Sequence, residues 1–334
     1  MRTASADAVD KSIVKRRLRL GILGTGLAAR LLYLPALKQL GHRIELVACA
    51  NRTRKKAVAY AKLAGIPKVV DTAEELLALP GLDAVLLSLP IDVQPDFVKL
   101  ALGQGIAVLS EKPVAQSVAV GRRLLKSTSR FDVPWLVGEN FHFMSHAQAL
   151  LQWVKRGRLG DLRMIQAANI NKMDAGNPYF HTAWRRKPNF VGGFVVDAGV
   201  HLAHVVRLCV GMPTRVRPMT ACFDHALSPI DSAVAVLEFD GGLLGTWTSC
   251  FSAPYQGPML RVFGSKGWAE LHWEHAVLCD EKGRQTMAQS ATDSFRAEFE
   301  HFADVVLKGA PVAVPASEAL LDLEFMQSIV AGHG

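Results

Sequence analysis

A glycine-rich turn lies between an apolar run and a helical pattern near the start of the chain. In the segment LGILGTGLAAR it fits G-x-G-x-x-A, with Gly24, Gly26 and Ala29 at the defined positions. Gly24 permits a tight turn, Gly26 lets the backbone approach a pyrophosphate, and Ala29 allows the helix to pack on the strand. Free N–H groups at the helix N-terminus then face the phosphates. A dinucleotide site is predicted, with a purely structural turn as the alternative. The site would comprise Gly24, Thr25, Gly26, Leu27 and Ala28.

Short apolar runs alternate with helical patterns over residues 19–138. Runs such as IELVACA, AVLLSLP and AVLSEKP are continuously apolar, as expected of strands whose sheet is covered on both faces. The helical patterns between them fall at 27–40, 54–64, 94–103 and 118–130. This alternation predicts parallel β-α-β units.

The second half of the chain has a different pattern. From about residue 163 the runs are longer and alternate apolar with polar residues, and tight turns at 240–242 and 264–267 join some of them. This pattern predicts an antiparallel sheet. Two helical patterns, at 293–308 and 317–330, close the chain. Because half of the 334 residues are hydrophobic, a core large enough for two domains is expected.

The end of the second predicted strand indicates which dinucleotide binds. An NAD site usually has an acidic residue there, but no carboxylate occurs between Glu45 and Asp71. Instead, Arg52 can fork onto a 2′-phosphate while Asn51 bonds the sugar edge, with Arg54 or Lys55 adding positive charge. One charge-assisted hydrogen bond is worth roughly 1.5–3 kcal/mol, enough to favour NADP about 10- to 100-fold. NADP is the predicted cofactor and NAD the alternative. A further alternative is that these basic residues are only the first turn of a surface helix and bind no cofactor.

Two further segments carry polar residues in places where chemistry is expected. The motif EKP puts Lys112 just after an apolar run, at the carboxyl edge of the sheet where ligands bind in open α/β folds. A solvated turn lysine is the alternative reading. The apolar run VGGFVVDAGVHLAHVVRLCVG carries Asp197 and His201 four positions apart. Because positions i and i+4 share a helix face, both side chains can point into one cleft.

Together, GILGTGLAA, EKP and GGFVVDAGVH, in this order, resemble the glucose–fructose oxidoreductase / inositol dehydrogenase / MocA family over about residues 19–330. The resemblance implies an α/β fold: an N-terminal Rossmann domain with a doubly wound parallel sheet, and a C-terminal α/β domain with a large open, mostly antiparallel sheet. It divides the chain into a flexible basic lead at 1–17, a dinucleotide-binding domain at 18–138, and a substrate-binding and oligomerisation domain at 139–334. It also implies a homodimer or homotetramer through the open sheet.

The same resemblance implies hydride transfer between NAD(P) and a secondary alcohol or ketone of a sugar, inositol or related polyol. Lys112 matches the family's lysine beside the nicotinamide and the reacting oxygen, where it would stabilise the alkoxide. His201 matches the acid/base histidine, and Asp197 the carboxylate that contacts substrate and supports that histidine. Trp184 and Arg185, shortly before the double glycine, are expected to line the pocket. Further cofactor contacts are expected from Leu89, Pro90, Gln94, Glu111, Lys112 and Asn140.

Other classes of function find less support in the sequence. A non-catalytic NAD(P)- and sugar-binding regulatory protein of this fold is the main alternative, but it has no need of Lys112, Asp197 and His201. The charge of +8 is spread along the chain apart from KSIVKRRLR, so no nucleic-acid partner is expected. The spacings His201-x-x-His204 and His272-x-x-His275 lack the further ligands of a metal site, so no metal is predicted.

Cysteine usage and hydropathy bear on the compartment. The five cysteines are odd in number and scattered, which indicates reduced thiols rather than a disulfide framework. The apolar run LGILGTGLAARLLYLPAL is interrupted by three glycines, Arg30 and Pro35, whereas a spanning helix needs about twenty predominantly apolar residues. A cytoplasmic protein without a membrane partner is therefore expected.

Overall fold

A six-stranded parallel sheet forms the N-terminal half of the protein in the computed structural model, which describes residues 16–331 except 187, 189, 191, 228, 291 and 292. Its strands are β1 (Leu18–Leu23), β2 (Ile44–Ala50), β3 (Lys68–Val70), β4 (Ala84–Leu87), β5 (Ala107–Ser110) and β6 (Trp135–Val137). They lie in the order β3-β2-β1-β4-β5-β6, and every pairing is parallel. The predicted parallel units are confirmed, and the order reverses between β1 and β4, where ligands bind in such folds.

Five helices accompany this sheet. They are α1 (Leu34–Gln39), α2 (Arg54–Ala64), α3 (Ala73–Leu77), α4 (Gln94–Gly103) and α5 (Val118–Thr128). The helix predicted at 27–40 is present, but a π-helical segment, Ala29–Tyr33, precedes α1. Pro35 follows that wider segment, and its lack of an N–H removes one bond of the regular α-helical pattern.

An eight-stranded sheet forms the second half. Its strands are β7 (Leu162–Ile170), β8 (Arg215–Ala221), β9 (Ser232–Glu238), β10 (Leu244–Cys250), β11 (Leu260–Gly264), β12 (Gly267–Leu271), β13 (His275–Asp280) and β14 (Gly283–Ala288). Their order is β14-β13-β12-β11-β7-β10-β9-β8. All pairings are antiparallel except that of β7 with β10. The expectation of a mostly antiparallel sheet is confirmed.

The helices of this half are α6 (Ser145–Lys155), α7 (Ala183–Arg186), α8 (Gly193–Val210), α9 (Ser294–Lys308) and α10 (Ala316–Val330). By length and composition α8 could cross a membrane, with a mean hydropathy of 1.5, but 72% of it is buried within the fold. A helix that is apolar all round is usually a core helix, and α8 packs against β7, β10 and α10. The helix that carries Asp197 and His201, α8, is therefore packed in the centre of the molecule.

The last two helices link the halves. The backbone N–H of Val137 at the end of β6 donates to the Val314 carbonyl at 3.0 Å, and α10 packs against α5 of the parallel-sheet half. Arg43, which directly precedes β2, forms an ion pair with Asp304 of α9. After β14 the chain thus returns to contact the first half of the molecule. A single division of the chain at residue 138 does not include these contacts.

The basic lead has ordinary partners where it is described. Arg16 pairs with Asp83, and Arg17 pairs with Glu45. The rest of the predicted lead, residues 1–15, lies outside the described part of the chain. All five cysteines are free thiols.

Candidate active site

The glycine turn after β1 forms an open cradle at the carboxyl edge of the parallel sheet. Gly24 has φ +94°, and a Cβ at this position would lie 2.1 Å from the Ser88 carbonyl oxygen. A Cβ on Gly26, in contrast, would meet no heavy atom within 4 Å. The Thr25 backbone is fixed by Asn51, whose Oδ1 accepts a hydrogen bond from Thr25 N at 3.3 Å. A pyrophosphate can approach Gly26 without obstruction, so the turn fits a dinucleotide.

Arg52 is an exposed cation beside this turn. It follows the end of β2, and within the described part of the chain its guanidinium has no ion-pair partner. Arg54 pairs with Asp71 instead, so it adds less positive charge to the site than the sequence predicts. Arg52 therefore retains its hydrogen-bonding capacity for a ligand.

Lys112 and Asp197 meet at the carboxyl edge of β5. The Lys112 ammonium donates to Asp197 Oδ1 at 3.0 Å and to the Asp197 carbonyl oxygen at 2.6 Å. The other carboxylate oxygen, Oδ2, accepts a hydrogen bond from Arg185 Nε at 2.8 Å. Burial by itself raises the pKa of the Asp197 carboxyl, but Arg185 and Lys112 outweigh it and hold that pKa far below its ordinary value. Asp197 is therefore an anion that anchors two cations.

Arg185 contacts the site through the Asp197 carboxylate, and Trp184 packs against the Arg185 guanidinium. The Arg185 Cζ lies 4.0 Å from the ring centroid of Trp184 and 5.0 Å from that of Tyr179. A guanidinium stacked on aromatic rings and bonded to a carboxylate has little freedom to reorient. The structure thus brings Trp184 and Arg185 next to Asp197, close to Lys112.

His201 has a different carboxylate partner from the one predicted. Its Nδ1 lies 2.6 Å from Glu139 Oε1, and Phe141 stacks on the imidazole with ring centroids 4.7 Å apart. Burial by itself raises the pKa of the Glu139 carboxyl, but its contacts with His201 lower that pKa below the ordinary value. The predicted support of His201 by Asp197 is replaced by Glu139, because both oxygens of Asp197 are already engaged by Lys112 and Arg185.

Glu139 was missed by the sequence analysis, although a signal for it was present. It comes two residues after β6 ends, at the same edge of the sheet as Lys112 after β5. Its side chain also accepts a hydrogen bond from Phe141 N at 3.1 Å, and the residue is only 2% exposed. The strand-edge argument that identified Lys112 therefore applies equally to Glu139.

Two residues expected at the cofactor have other partners. Gln94 is fully buried, and its Nε2 donates to the carbonyl oxygens of Glu111 at 2.7 Å and Pro113 at 3.3 Å. Through these two bonds Gln94 holds the loop that carries Lys112. The Glu111 carboxyl accepts a hydrogen bond from the Tyr33 hydroxyl, and burial raises its pKa. The Gln94 Oε1 has no hydrogen-bond partner among the described residues, and the cofactor contacts of Gln94 and Glu111 stay predictions.

The other residues predicted to contact the cofactor lie at the carboxyl edge of the parallel sheet. Asn140 follows β6, and its Nδ2 donates to Ser294 Oγ at 3.0 Å. Four others are half-buried at the carboxyl edge around β1 and β4, namely Leu27, Ala28, Leu89 and Pro90. Their contacts with a cofactor stay predictions.

A cavity of about 420 Å³ opens beside His201, between α8 and the end of β7. This volume falls in the range of small-molecule sites, about 300–1,000 Å³. The cavity has an aromatic part, formed by Phe141, Phe251, Trp273 and Phe295. It also has an amide part, formed by Asn140, Asn169, Asn171 and Gln289.

A buried polar network lies one turn further along α8. His204 Nδ1 is 2.9 Å from Asp322 Oδ2, its Nε2 is 3.0 Å from His142 Nδ1, and Arg207 Nε donates to Asp322 Oδ1 at 2.8 Å. Burial lowers the pKa of His142 to about 4, so its imidazole is neutral at physiological pH. The network ties the segment that carries Phe141 to α8 and α10. His204 is thus engaged by His142 and Asp322 on its two ring nitrogens.

The other histidine pair also has a structural arrangement. His272 and His275 stack with ring centroids 4.3 Å apart, and His272 Nε2 lies 3.1 Å from Glu270. Among the residues described, no group of three or more histidine, cysteine, aspartate or glutamate side chains is arranged to hold a metal ion.

Both halves of the chain match family descriptions. Residues 18–139 match an oxidoreductase family with an NAD-binding Rossmann fold. Residues 147–270 match the GFO/IDH/MocA C-terminal domain.

Individual relatives match over nearly the whole length. Dehydrogenase FPY6 of Fusarium mangiferae is 30% identical over 93% of this chain and 95% of its own. D-xylose 1-dehydrogenase (NADP(+)) 2 of Haloferax volcanii is 28% identical over 92% of this chain and 95% of its own. The crystal structure of an oxidoreductase from Thermotoga maritima, 35% identical, superimposes with a TM-score of 0.90 and covers 96% of this chain and 97% of its own. The fold is therefore shared with the Thermotoga maritima oxidoreductase over nearly its whole length.

Proposed function

Because this chain belongs to the Gfo/Idh/MocA family of NAD(P)-dependent oxidoreductases, we propose that it transfers a hydride between NADP and a sugar, inositol or related polyol. The enzyme class is that of dehydrogenases acting on CH–OH groups. The proposal adds the cofactor preference, the kind of substrate and the roles of individual residues. The observation that carries it is the placement of Lys112 against α8 one turn before His201, at the edge of the sheet where the glycine turn opens.

His201 is the proposed acid and base. The carboxylate of Glu139 accepts a hydrogen bond from Nδ1–H, which leaves Nε2 as the basic nitrogen of the neutral imidazole. In oxidation, Nε2 takes the hydroxyl proton of the substrate as the hydride leaves, and in reduction it returns that proton. Glu139 stabilises the imidazolium that exists while Nε2 holds this proton. A general base of this kind contributes typically about 100- to 10,000-fold to the rate.

Lys112 is the proposed electrostatic stabiliser. An ammonium group has three N–H donors, and two of those of Lys112 are directed at Asp197. The third remains for the substrate oxygen, where it offsets the negative charge that develops on the alkoxide. Asp197 positions the ammonium and, because its pKa lies far below the ordinary value, takes no proton from substrate. A bound nicotinamide supplies the hydride acceptor or donor.

The NADP preference rests on Arg52. An exposed guanidinium without an ion-pair partner in the described residues can form a bidentate pair with the 2′-phosphate. D-xylose 1-dehydrogenase (NADP(+)) 2 of Haloferax volcanii supports this choice, since it matches over 92% of this chain. NAD is the alternative cofactor.

The test is an absorbance assay for reduced nicotinamide with purified protein. NADP⁺ and NAD⁺ are combined with aldoses, inositols and sugar acids, and NADPH and NADH with the matching keto forms. Turnover with a sugar or polyol, faster with NADP⁺ or NADPH, is expected. Tight NADPH binding without turnover across the whole panel would contradict the proposal and favour the non-catalytic regulatory alternative.

A further inference from the structure

We propose that the cavity beside His201 selects an uncharged polyhydroxylated substrate that lays one apolar face against an aromatic wall, with Asn169 as a specificity-determining contact to its hydroxyl groups. This inference rests on the proposed function, because it takes the cavity as the place where the substrate of His201 binds. It goes further by distinguishing neutral polyols from their carboxylate and phosphate derivatives.

The charges around the cavity are balanced without a ligand. Lys112 and Arg185 share the Asp197 carboxylate, and His201 faces the Glu139 carboxylate. The described residues that line the cavity include no lysine or arginine, whereas they do include a carboxylate, Asp293. Apart from the Lys112 N–H that the proposed function assigns to the reacting oxygen, the described lining offers no cation to an anionic group, which would therefore lose hydration without compensation.

Asn169 supplies a donor that lacks a partner. It lies near the end of β7, and its Nδ2 is buried without a hydrogen-bond partner among the described residues. Side chains alternate between the two faces of a strand, so Asn169 shares the inner face with Ile165 and Ala167, which are buried. Asn171 continues on that face, and both asparagines line the cavity. A buried amide of this kind is satisfied when a hydroxyl oxygen of the ligand accepts its N–H.

The cavity also has an aromatic wall, formed by Phe141, Phe251, Trp273 and Phe295. Phe141 stacks on His201 with ring planes 15° apart, and Trp273 meets Phe141 edge to face with centroids 5.7 Å apart. Trp273 is half exposed although it is large and apolar, so part of its ring is available to a ligand. A cyclic polyol offers C–H groups to such rings and hydroxyl groups to the amides. The wall and the amides together thus fit a ring that is polar at its edge and apolar on one face.

The experiment compares matched neutral and anionic compounds with the intact protein and NADP⁺. The pairs are glucose with glucuronate, glucose with glucose 6-phosphate, and myo-inositol with its monophosphate. For each pair we expect kcat/KM of the anionic member to be at least about 100-fold lower. Binding of each compound to the protein–NADPH complex is measured by calorimetry as well. An anionic member that is turned over or bound as well as its neutral partner would overturn the inference.

A pair of variants on β7 tests the role of Asn169. Asn169→Leu removes the amide at nearly constant volume and should raise KM for the neutral substrate about 5-fold or more, with NADPH affinity unchanged. Gln166→Leu, on the opposite face of the same strand, is the matched control and should leave KM unchanged. Equal KM values in both variants and the wild type would remove Asn169 from the pocket. Neutral compounds that bind selectively without turnover would sustain the selectivity but contradict the proposed reaction.

Discussion

At the scale of single residues, Asp197 and His201 lie one helical turn apart, yet they belong to different hydrogen-bonded groups. Asp197 anchors Lys112 and Arg185, whereas His201 pairs with Glu139. The separation has a chemical consequence. A histidine paired with Asp197 would compete with Lys112 and Arg185 for one carboxylate. Glu139 has no such competitors among the described residues, so it can accept a hydrogen bond from His201 Nδ1–H and stabilise a transient imidazolium.

The His201–Glu139 pair leads to the first prediction. His201→Asn should lower turnover at least about 100-fold while leaving NADPH affinity nearly intact, since the proton acceptor is lost but the glycine turn is untouched. Glu139→Gln should also lower kcat, because an amide cannot stabilise the imidazolium as a carboxylate does. Steady-state kinetics and NADPH titration measure both. Wild-type kcat in either variant would exclude that residue from proton transfer.

The second prediction concerns Arg52. Arg52→Ala should weaken NADPH binding about 10- to 100-fold and NADH binding far less, because a charge-assisted hydrogen bond of roughly 1.5–3 kcal/mol to the 2′-phosphate is lost. Titration of both cofactors into the variant and the wild type measures the difference. Arg54→Ala is the control, since Arg54 pairs with Asp71. Equal losses of the two cofactors in Arg52→Ala would contradict the 2′-phosphate assignment.

Glu298 yields a third prediction at this scale. It is 1% exposed, its Oε1 has no hydrogen-bond partner among the described residues, and burial raises the pKa of its carboxyl well above the ordinary value. The folded protein therefore binds a proton that the unfolded chain releases from about pH 4.3 upward, so Glu298 makes stability fall as the pH rises through this range. Glu298→Gln should remove that dependence.

The expected result is a Tm that rises by at least about 2 °C at pH 7 in Glu298→Gln, with little change at pH 4. Thermal unfolding followed by circular dichroism across this pH range measures it. The exposed Glu281→Gln is the control, and its Tm should follow the wild type. A lower Tm for Glu298→Gln at pH 7 would mean that the carboxyl is charged and has a stabilising partner.

At the scale of secondary-structure elements, α8 is positioned from both sides. Its first half meets the edge of the parallel sheet through Lys112, and its second half meets α10 through Asp322. In between, Glu139 and His142 contact His201 and His204, so two contacts one turn apart join α8 to the segment after β6. The site geometry therefore depends on where α10 docks, although α10 contributes no residue to the catalytic group.

The fourth prediction tests that docking. Asp322→Asn leaves His204 and Arg207 without their buried anion, although Arg207 keeps its pair with Glu318. A cost near the lower end of the usual range of about 3–5 kcal/mol for breaking a buried ion pair is therefore expected. A comparable decrease in the free energy of unfolding is expected in urea titration. Glu324→Gln is the control on the same helix. It breaks a pair with the exposed Arg122, which is worth about 0–1 kcal/mol. Similar losses in both variants would argue against a special role for the buried network.

At the scale of the whole molecule, two sheets of different kind flank one cleft, and α8 to α10 hold them together. The outer face of the eight-stranded sheet carries exposed apolar side chains, among them Met219 at 78% and Val236 at 54% exposure. An apolar sheet face of this kind is unusual for a monomer and is typical of an interface. It supports the proposal of a homodimer or homotetramer through the open sheet.

The fifth prediction follows from that face. Val236→Glu puts a charge on the outer face at β9, beside the edge strand β8, and should convert the proposed oligomer to a monomer, because a symmetric interface would bury the charge in each copy. Analytical ultracentrifugation of the wild type and the variant measures the mass. Leu63→Glu on α2, a position of similar exposure at 49%, is the control and should leave the mass unchanged. A monomeric wild type would contradict the prediction.

Much of the architecture could be predicted because it depends on local patterns. The alternation before residue 138 predicts the parallel sheet, and the alternating runs after residue 163 predict the second sheet. Lys112 could be identified because a residue that follows a buried parallel strand lies at the ligand-binding edge whatever the rest of the chain does. Gln94 could not be assigned in the same way, since its burial depends on how α4 packs against the loop after β5.

The amino-acid sequence by itself determined the longer helices and strands, the glycine turn and the place of Lys112 at a strand edge, because each of these follows from the spacing of neighbouring residues. The short β3 and α3, in contrast, were not predicted. The tertiary structure alone decided the partners: Glu139 for His201, 62 positions away, and Asp322 for His204, 118 positions away. The physical reason is that hydrogen bonds and ion pairs act over a few ångströms in space. Which side chains come that close is settled only when distant helices and strands pack against one another.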